Sequence, residues 1–136
     1  MSNIVEKRAS GRAEVITAAD KAYNQQAEGP ALHILELTEH FHGDIEGENQ
    51  ARAIRAVRAD GSGSFVGISR VVGKVGDRSG SFVLQGSGSF ANKRAESEWF
   101  VVPGSGTGEL EGLRGEGGFI TELEHPATIW LDYWFE

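Results

Sequence analysis

Residues 62–85 read SGSFVGISRVVGKVGDRSGSFVLQ. Ser62-Gly-Ser-Phe-Val66 and Ser79-Gly-Ser-Phe-Val83 are near-copies, and each launches a run rich in Val, Ile and Phe. Between them, Gly73–Gly80 (GKVGDRSG) supplies turn residues, so the stretch reads as a β-hairpin whose strands run to Val72 and to Gln85. Two five-residue copies do not make a solenoid, which needs about three or more repeated units. They are two strands entered through the same turn chemistry. Side chains alternate along a strand. Phe65, Gly67, Ser69 and Val71 therefore share a face with Phe82, Leu84 and Gly86.

The rest of the chain repeats this grammar. Glycine is 19 of 136 residues, twice the usual share of about 7%. The glycines punctuate short apolar runs rather than forming a linker, which argues for many strands joined by tight turns. Towards the N-terminus, Gly11–Ala18 is a first strand, preceded by a polar arm over residues 1–10. Ala19–Gly29 is polar and ends at the Gly29-Pro30 breaker. Ala31–His42 is the longest strand candidate, with helix as the competing assignment. Its Leu32, Ile34, Leu35 and Leu37 change face partway, as a β-bulge would cause. Asp44–Asn49 reads as a link. Gln50–Asp60 (QARAIRAVRAD) puts Ala51, Ala53, Arg55 and Val57 on one face if extended, although alanine and arginine also favour helix.

Beyond the hairpin, Gly86–Ser89 and Asn92-Lys93 form the next turn region. Ser97–Val102 is a strand closed by Pro103, and Phe119–Leu123 and Thr128–Phe135 are the last two, separated by His125-Pro126. This makes roughly eight strands at about 8–12-residue spacing, the pattern of an antiparallel sandwich or an up-and-down barrel. The expected organisation is a flexible arm over residues 1–10 and one β domain over 11–136.

Composition bounds the function. Twenty acidic and 13 basic side chains leave a net charge of −7, which argues against a phosphate-backbone binder and against a polybasic membrane-surface protein. With no cysteine there are no disulfides, thiolate metal sites or cysteine nucleophiles. No apolar run approaches the roughly 18 residues of a membrane helix, and no signal-peptide core follows Met1, so a cytoplasmic location is expected.

Several constellations invite chemistry. His40-Phe-His42 puts two imidazoles on one strand face, and Glu46 completes H-x-H-x-x-x-E, a donor set suited to a divalent metal. The spacing echoes the core of the cupin metal motif, but Ile34 and Ala53 stand where that motif has glycines, and its second half is absent. The plainer reading is a pair of surface histidines near a strand end, with no metal and no cofactor. GSGTGELEG (104–112) is glycine-rich, yet it lacks both the spacing of a dinucleotide fingerprint and the lysine of a P-loop. Its glycines serve a tight crossing of a barrel end. Serine is abundant, but no G-x-S-x-G elbow is present. Arg52, Arg55 and Arg58 form a small basic row, read as an exposed stripe or a subunit contact. On the last strand Trp130, Asp132 and Trp134 share one face, and Ile129, Leu131, Tyr133 and Phe135 the other. Apolar residues on both sides suggest a barrel interior on one and a subunit partner on the other.

The segments FHGDIEG (41–47), FVGISRVVG (65–73), DRSGSFVLQ (77–85), WFVVPGSGTGELEGLRGEGGF (99–119) and LDYWFE (131–136) together resemble a bacterial family, domain of unknown function 3224. The resemblance runs in order from Gly11 to Glu136. It implies an allene oxide cyclase-like fold, all-β, an eight-stranded antiparallel up-and-down barrel that often oligomerises. The family pattern has a glutamate where this chain has Ser69 and a histidine where it has Gly86, so a polar pair gives way to space here.

The expected function is then binding of an apolar small molecule in the lumen, extended to an isomerase or cyclase that holds a reactive substrate in a productive fold. The expected lining is Phe65, Ser69, Phe82, Leu84, Gly86 and Trp99, with Tyr133 as a polar-tipped aromatic. The catalytic residues are unknown. The alternative is a non-enzymatic, side-chain-filled barrel that associates with copies of itself through its outer strand faces.

Overall fold

In the computed structural model, which describes residues 5–122 and 125–136, eight antiparallel strands follow one another around a closed barrel. They are β1 (Lys7–Asn24), β2 (Ala31–Gly43), β3 (Ile45–Val57), β4 (Gly63–Val75), β5 (Arg78–Ala91), β6 (Arg94–Val101), β7 (Leu113–Glu122) and β8 (Ala127–Phe135). A single 3-10 turn, Gly108–Leu110, lies between β6 and β7. Closure comes from β1 pairing with β8, from Lys7 opposite Tyr133 to Ala13 opposite Ala127. Every strand is thus hydrogen-bonded on both edges, which removes the exposed edges that invite aggregation.

The strands are longer than their sequence signals. Lys7–Ser10, expected in the flexible arm, belong to β1, because the β8 ladder reaches them. Residues 1–4 of that arm lie outside the described residues, as does Leu123 at the end of an expected strand. β1 also runs on through the polar 19–24 segment, whose partner is the apolar start of β2. Asp44–Asn49 is not a link: only Asp44 lies between β2 and β3. The β4–β5 hairpin is tighter than GKVGDRSG suggests, with Val75 opposite Arg78 and only Gly76-Asp77 between them. Gly76 has φ +61°, as a type II′ turn demands of its first central residue. Gly86–Ser89 is strand rather than turn, and the chain reverses at Asn92-Lys93, both at positive φ.

The β-bulge expected within Ala31–His42 lies in the facing strand instead. The β2–β3 register is continuous, while the β1–β2 register slips between Val15 and Thr17 and again between Ala22 and Asn24. Gln50–Asp60 resolves as strand up to Val57, with Ala51, Ala53 and Arg55 turned to the lumen.

The two barrel ends differ. At one end lie the β2–β3 and β4–β5 turns and the long β6–β7 connection. Here Phe41, Ile45, Val71, Val75, Phe82, Leu113 and Leu131 form a solid core, each at most 1% exposed. The connection folds across this end as the glycine-rich crossing requires, with Gly104, Gly108 and Gly112 at φ +81°, +60° and +84°. It is pinned to β5 by Thr107, whose N–H donates to the Ser81 carbonyl at 2.9 Å and whose hydroxyl accepts from the Ser81 N–H at 3.0 Å. Leu110, fully buried, is the stopper. The other end carries the β1–β2, β3–β4, β5–β6 and β7–β8 connections and is hollow. Among the described residues, no helix is long and apolar enough to cross a membrane.

Candidate functional site

The hollow half holds a cavity of about 400 Å³, bounded by inward side chains of all the strands. Its walls are mainly apolar: Leu35, Leu37 and Phe41 from β2, Phe65 from β4, Leu84 and Phe90 from β5, Trp99 from β6, Phe119 from β7 and Ile129 from β8. Ring packing stiffens one side. Trp99 lies 5.6 Å from Phe119 and 6.2 Å from Phe41 between centroids, and Phe65 lies 6.0 Å from Phe119. The indole N–H of Trp99 donates to the Trp130 carbonyl at 3.1 Å, which fixes the ring against the wall.

Five of the expected lining residues, Phe65, Ser69, Leu84, Gly86 and Trp99, surround this cavity. Phe82 is on the same inner face but sits in the solid core with no exposure. Tyr133 faces inward at the closed end, where it packs edge-on to Phe135 at 6.1 Å, and is not part of the cavity wall. The space inferred at Gly86 is largely taken: a Cβ there would stand 2.9 Å from the Trp99 Cβ and closer still to the Glu98 carbonyl oxygen. Gly86 is what lets β6 and its indole lie close. Room is left instead around Ser69 and the small residues Ala51, Ala53 and Gly67.

Sequence reasoning missed two polar groups of the lumen. Glu39 and Asn49, opposite each other on β2 and β3, both line the cavity. The Asn49 amide N–H donates to Glu39 Oε1 at 3.1 Å. Burial pushes the Glu39 carboxyl above the usual carboxylate range, and the bond from Asn49 only partly opposes this. The signal was present in the alternation of β2, which places Glu39 on the face of Leu35, Leu37 and Phe41. A glutamate two residues from each of Leu37 and Phe41 reads as exposed unless that face is known to be inside.

Arg55 keeps the face that the extended reading of Gln50–Asp60 gave it, with Ala51 and Ala53. It is not in an outer basic row with Arg52: it turns inward at the open end, its guanidinium 4.7 Å from the Phe90 ring centroid and 3.5 Å from Asp20. Among the described residues, two buried side-chain polar atoms have no hydrogen-bond partner, Asn49 Oδ1 and Arg55 Nε. Both residues line this one cavity. A buried polar atom without a partner costs about 1–3 kcal/mol, and both such atoms lie on the wall of this one hollow.

On the outer wall, Ile34, Ile54 and Val66 lie side by side across β2, β3 and β4, with 38%, 49% and 58% exposure. Trp130 and Trp134 also face outward and are half-buried, as the alternation of the last strand requires.

The fold and this site define a class: a closed, eight-stranded up-and-down β-barrel, plugged at one end and hollow at the other. The family model for the protein of unknown function DUF3224 matches residues 9–133, and the chain belongs to that family. It is similar to the crystal structure of a DUF3224 family protein of unknown function from Shewanella oneidensis MR-1. The two share 31% sequence identity with a TM-score of 0.82, over 97% of this chain and 99% of that one. No curated protein matches the chain.

Proposed function

We propose that the barrel binds an elongated, mostly apolar small molecule in its lumen. The observation that carries this reading is the coincidence of the two partnerless buried polar atoms with one apolar cavity. Asn49 Oδ1 asks for a hydrogen-bond donor and Arg55 Nε for an acceptor. The residues stand six apart on β3, a separation of roughly 20 Å at about 3.3 Å per residue. A ligand with an acceptor such as a carboxylate at the mouth, an aliphatic body and a hydroxyl at the inner end satisfies both. The filled-barrel alternative has less support, since side chains fill only the plugged half.

The isomerase or cyclase extension rests on Glu39. A carboxyl with a raised pKa inside a mainly apolar lumen is suited to giving a proton to a bound substrate and taking one back, with no net change in atoms.

The test is titration with a long-chain ω-hydroxy fatty acid while tryptophan emission is followed. Saturable quenching, weakened by Arg55→Met and by filling the lumen with Ala53→Phe, supports the reading. Absence of any saturable response to this acid or to its methyl ester overturns it.

The exposed Ile34–Ile54–Val66 row favours a second property, association with further copies of the chain through the outer wall. Sedimentation of the wild-type protein and an Ile54→Glu variant tests this: a monomer in both cases removes it.

A further inference from the structure

At the plugged end, on the outside of the barrel, three ligand-type side chains converge away from the lumen. His40 and His42 alternate with the buried Phe41 on β2, so both imidazoles point outward, with ring centroids 4.4 Å apart. The chain then turns at Gly43-Asp44 and returns along β3, bringing Glu46 beside them. Glu46 Oε2 is 2.7 Å from His40 Nε2 and 3.6 Å from His42 Nδ1, and all three donor atoms lie within 4.8 Å of one another. The other carboxylate oxygen of Glu46 accepts from the Gly43 N–H at 3.4 Å, which aims Oε2 at the two rings.

We propose that His40 Nε2, His42 Nδ1 and Glu46 Oε2 form a binding site for a borderline divalent transition-metal ion, such as zinc. Metal–imidazole and metal–carboxylate bonds of about 2.0–2.2 Å put the donors of a tetrahedral shell about 3.3 Å apart. The two spacings to Glu46, 2.7 and 3.6 Å, bracket that value and the imidazole nitrogens lie within 4.8 Å of each other, so side-chain rotation brings the three donors onto one ion. The metal takes the place of the hydrogen bond between His40 and Glu46. Two imidazoles and one carboxylate select zinc, cobalt, nickel or copper over magnesium or calcium, which prefer all-oxygen shells.

A neighbouring strand contributes the orienting group. On β1, Glu14 Oε2 lies 3.3 Å from His42 Nε2, the nitrogen remote from Glu46. A His42 that donates its Nε2–H to Glu14 leaves Nδ1 free for the metal, the carboxylate–histidine–metal arrangement found around protein zinc sites. Glu14 is thus a positioning residue. The ligand side chains are between two-fifths and one-half exposed, so an ion reaches them from solvent and one coordination position remains open. The site ties β1, β2 and β3 together on the outer wall and is independent of the cavity reading.

The experiment is calorimetric titration of tag-free protein with zinc chloride, with the absorption bands of a cobalt(II) complex as the spectroscopic readout. One equivalent is expected to bind. His40→Ala, His42→Ala and Glu46→Gln should each weaken zinc at least tenfold and abolish the cobalt bands. Glu14→Gln should weaken zinc about tenfold while keeping the bands. His33→Ala, which removes a histidine paired with Asp20 on other parts of β1 and β2, should change nothing. Because these side chains are exposed, circular dichroism should report an unchanged barrel, and a variant that misfolds leaves the other two to decide. No zinc binding, or binding that survives loss of either histidine or follows His33, overturns the proposal.

Discussion

Glu39 and Asn49 face each other across the β2–β3 ladder, and the Asn49 amide holds the Glu39 carboxyl at 3.1 Å inside a mainly apolar lumen. The pair leaves one acceptor, Asn49 Oδ1, without a partner. Together with Arg55 at the open end, it gives the lumen polar positions that a mere packing defect lacks.

Glu39→Gln tests the strain of that burial. The folded-state pKa of Glu39 is raised, chiefly by desolvation. The native state therefore holds the proton to higher pH than the unfolded chain, whose glutamate titrates near about 4.3. Below that value the wild type carries no burial penalty. As pH rises through the folded pKa the penalty becomes complete. Urea midpoints should coincide for the two proteins in acid and favour the glutamine variant at neutral pH. A wild type more stable at neutral pH would contradict the burial argument.

Trp99→Phe separates the lumen from the rest of the barrel. Trp99 is the tryptophan on the cavity wall, whereas Trp130 and Trp134 face outward. The substitution should remove ligand-dependent quenching. Losing the indole bond to the Trp130 carbonyl should lower stability by about 1 kcal/mol in denaturant titration.

Leu110→Ala removes the stopper. The side chain is fully buried against the plugged end, so truncation should cost about 2–5 kcal/mol. Ligand affinity should change far less than stability, because Leu110 is outside the cavity wall.

Gly86→Ala should destabilise by about 1–3 kcal/mol, since a methyl group forces β5 away from the Glu98 carbonyl and Trp99. Thermal melts of Gly86→Ala against Ser69→Ala, which adds no bulk, distinguish crowding from a general intolerance of change on this face.

Asp132→Asn probes the barrel seam. Arg8 grips Asp132 with bonds of 2.7 and 2.8 Å between β1 and β8, and this contact holds the Asp132 carboxyl below its usual range. Such a group stabilises the fold above the unfolded pKa of about 3.9 and loses that contribution as pH falls through the lower, folded value. The variant should be less stable than wild type at neutral pH and converge with it in acid. The difference should shrink in high salt, because Arg8 is 61% exposed.

The strand order and the inner face of the central hairpin were readable because alternation and turn chemistry act locally. Phe65, Ser69 and Leu84 fell where the pattern of 62–85 assigned them. The limits of the strands were not readable: Lys7–Ser10 and Gly86–Ser89 pair because their neighbours do, which is a property of the closed ladder. Neither was the polar lining. Glu39 resembles a surface residue until the barrel wraps around it, and Arg55 had two readings, with Ala51 and Ala53 on one strand face or in a basic row with Arg52 and Arg58. Phe82 and Tyr133 were expected in the cavity because they share its face. They are excluded by their height along the barrel, since Phe82 pairs with Val71 close to the β4–β5 turn and Tyr133 with Gly115 and Lys7 at the plugged end.

The β1–β8 ladder has a temporal consequence. Residues 7–13 and 127–133 come from opposite limits of the described chain, so no partial assembly owns a finished interior before they meet. Such non-local topology slows folding, and each intermediate presents two open ribbons. Nascent or half-denatured molecules are thus the ones with unpaired strand edges, and zipping residues 7–13 onto 127–133 is the step that removes them.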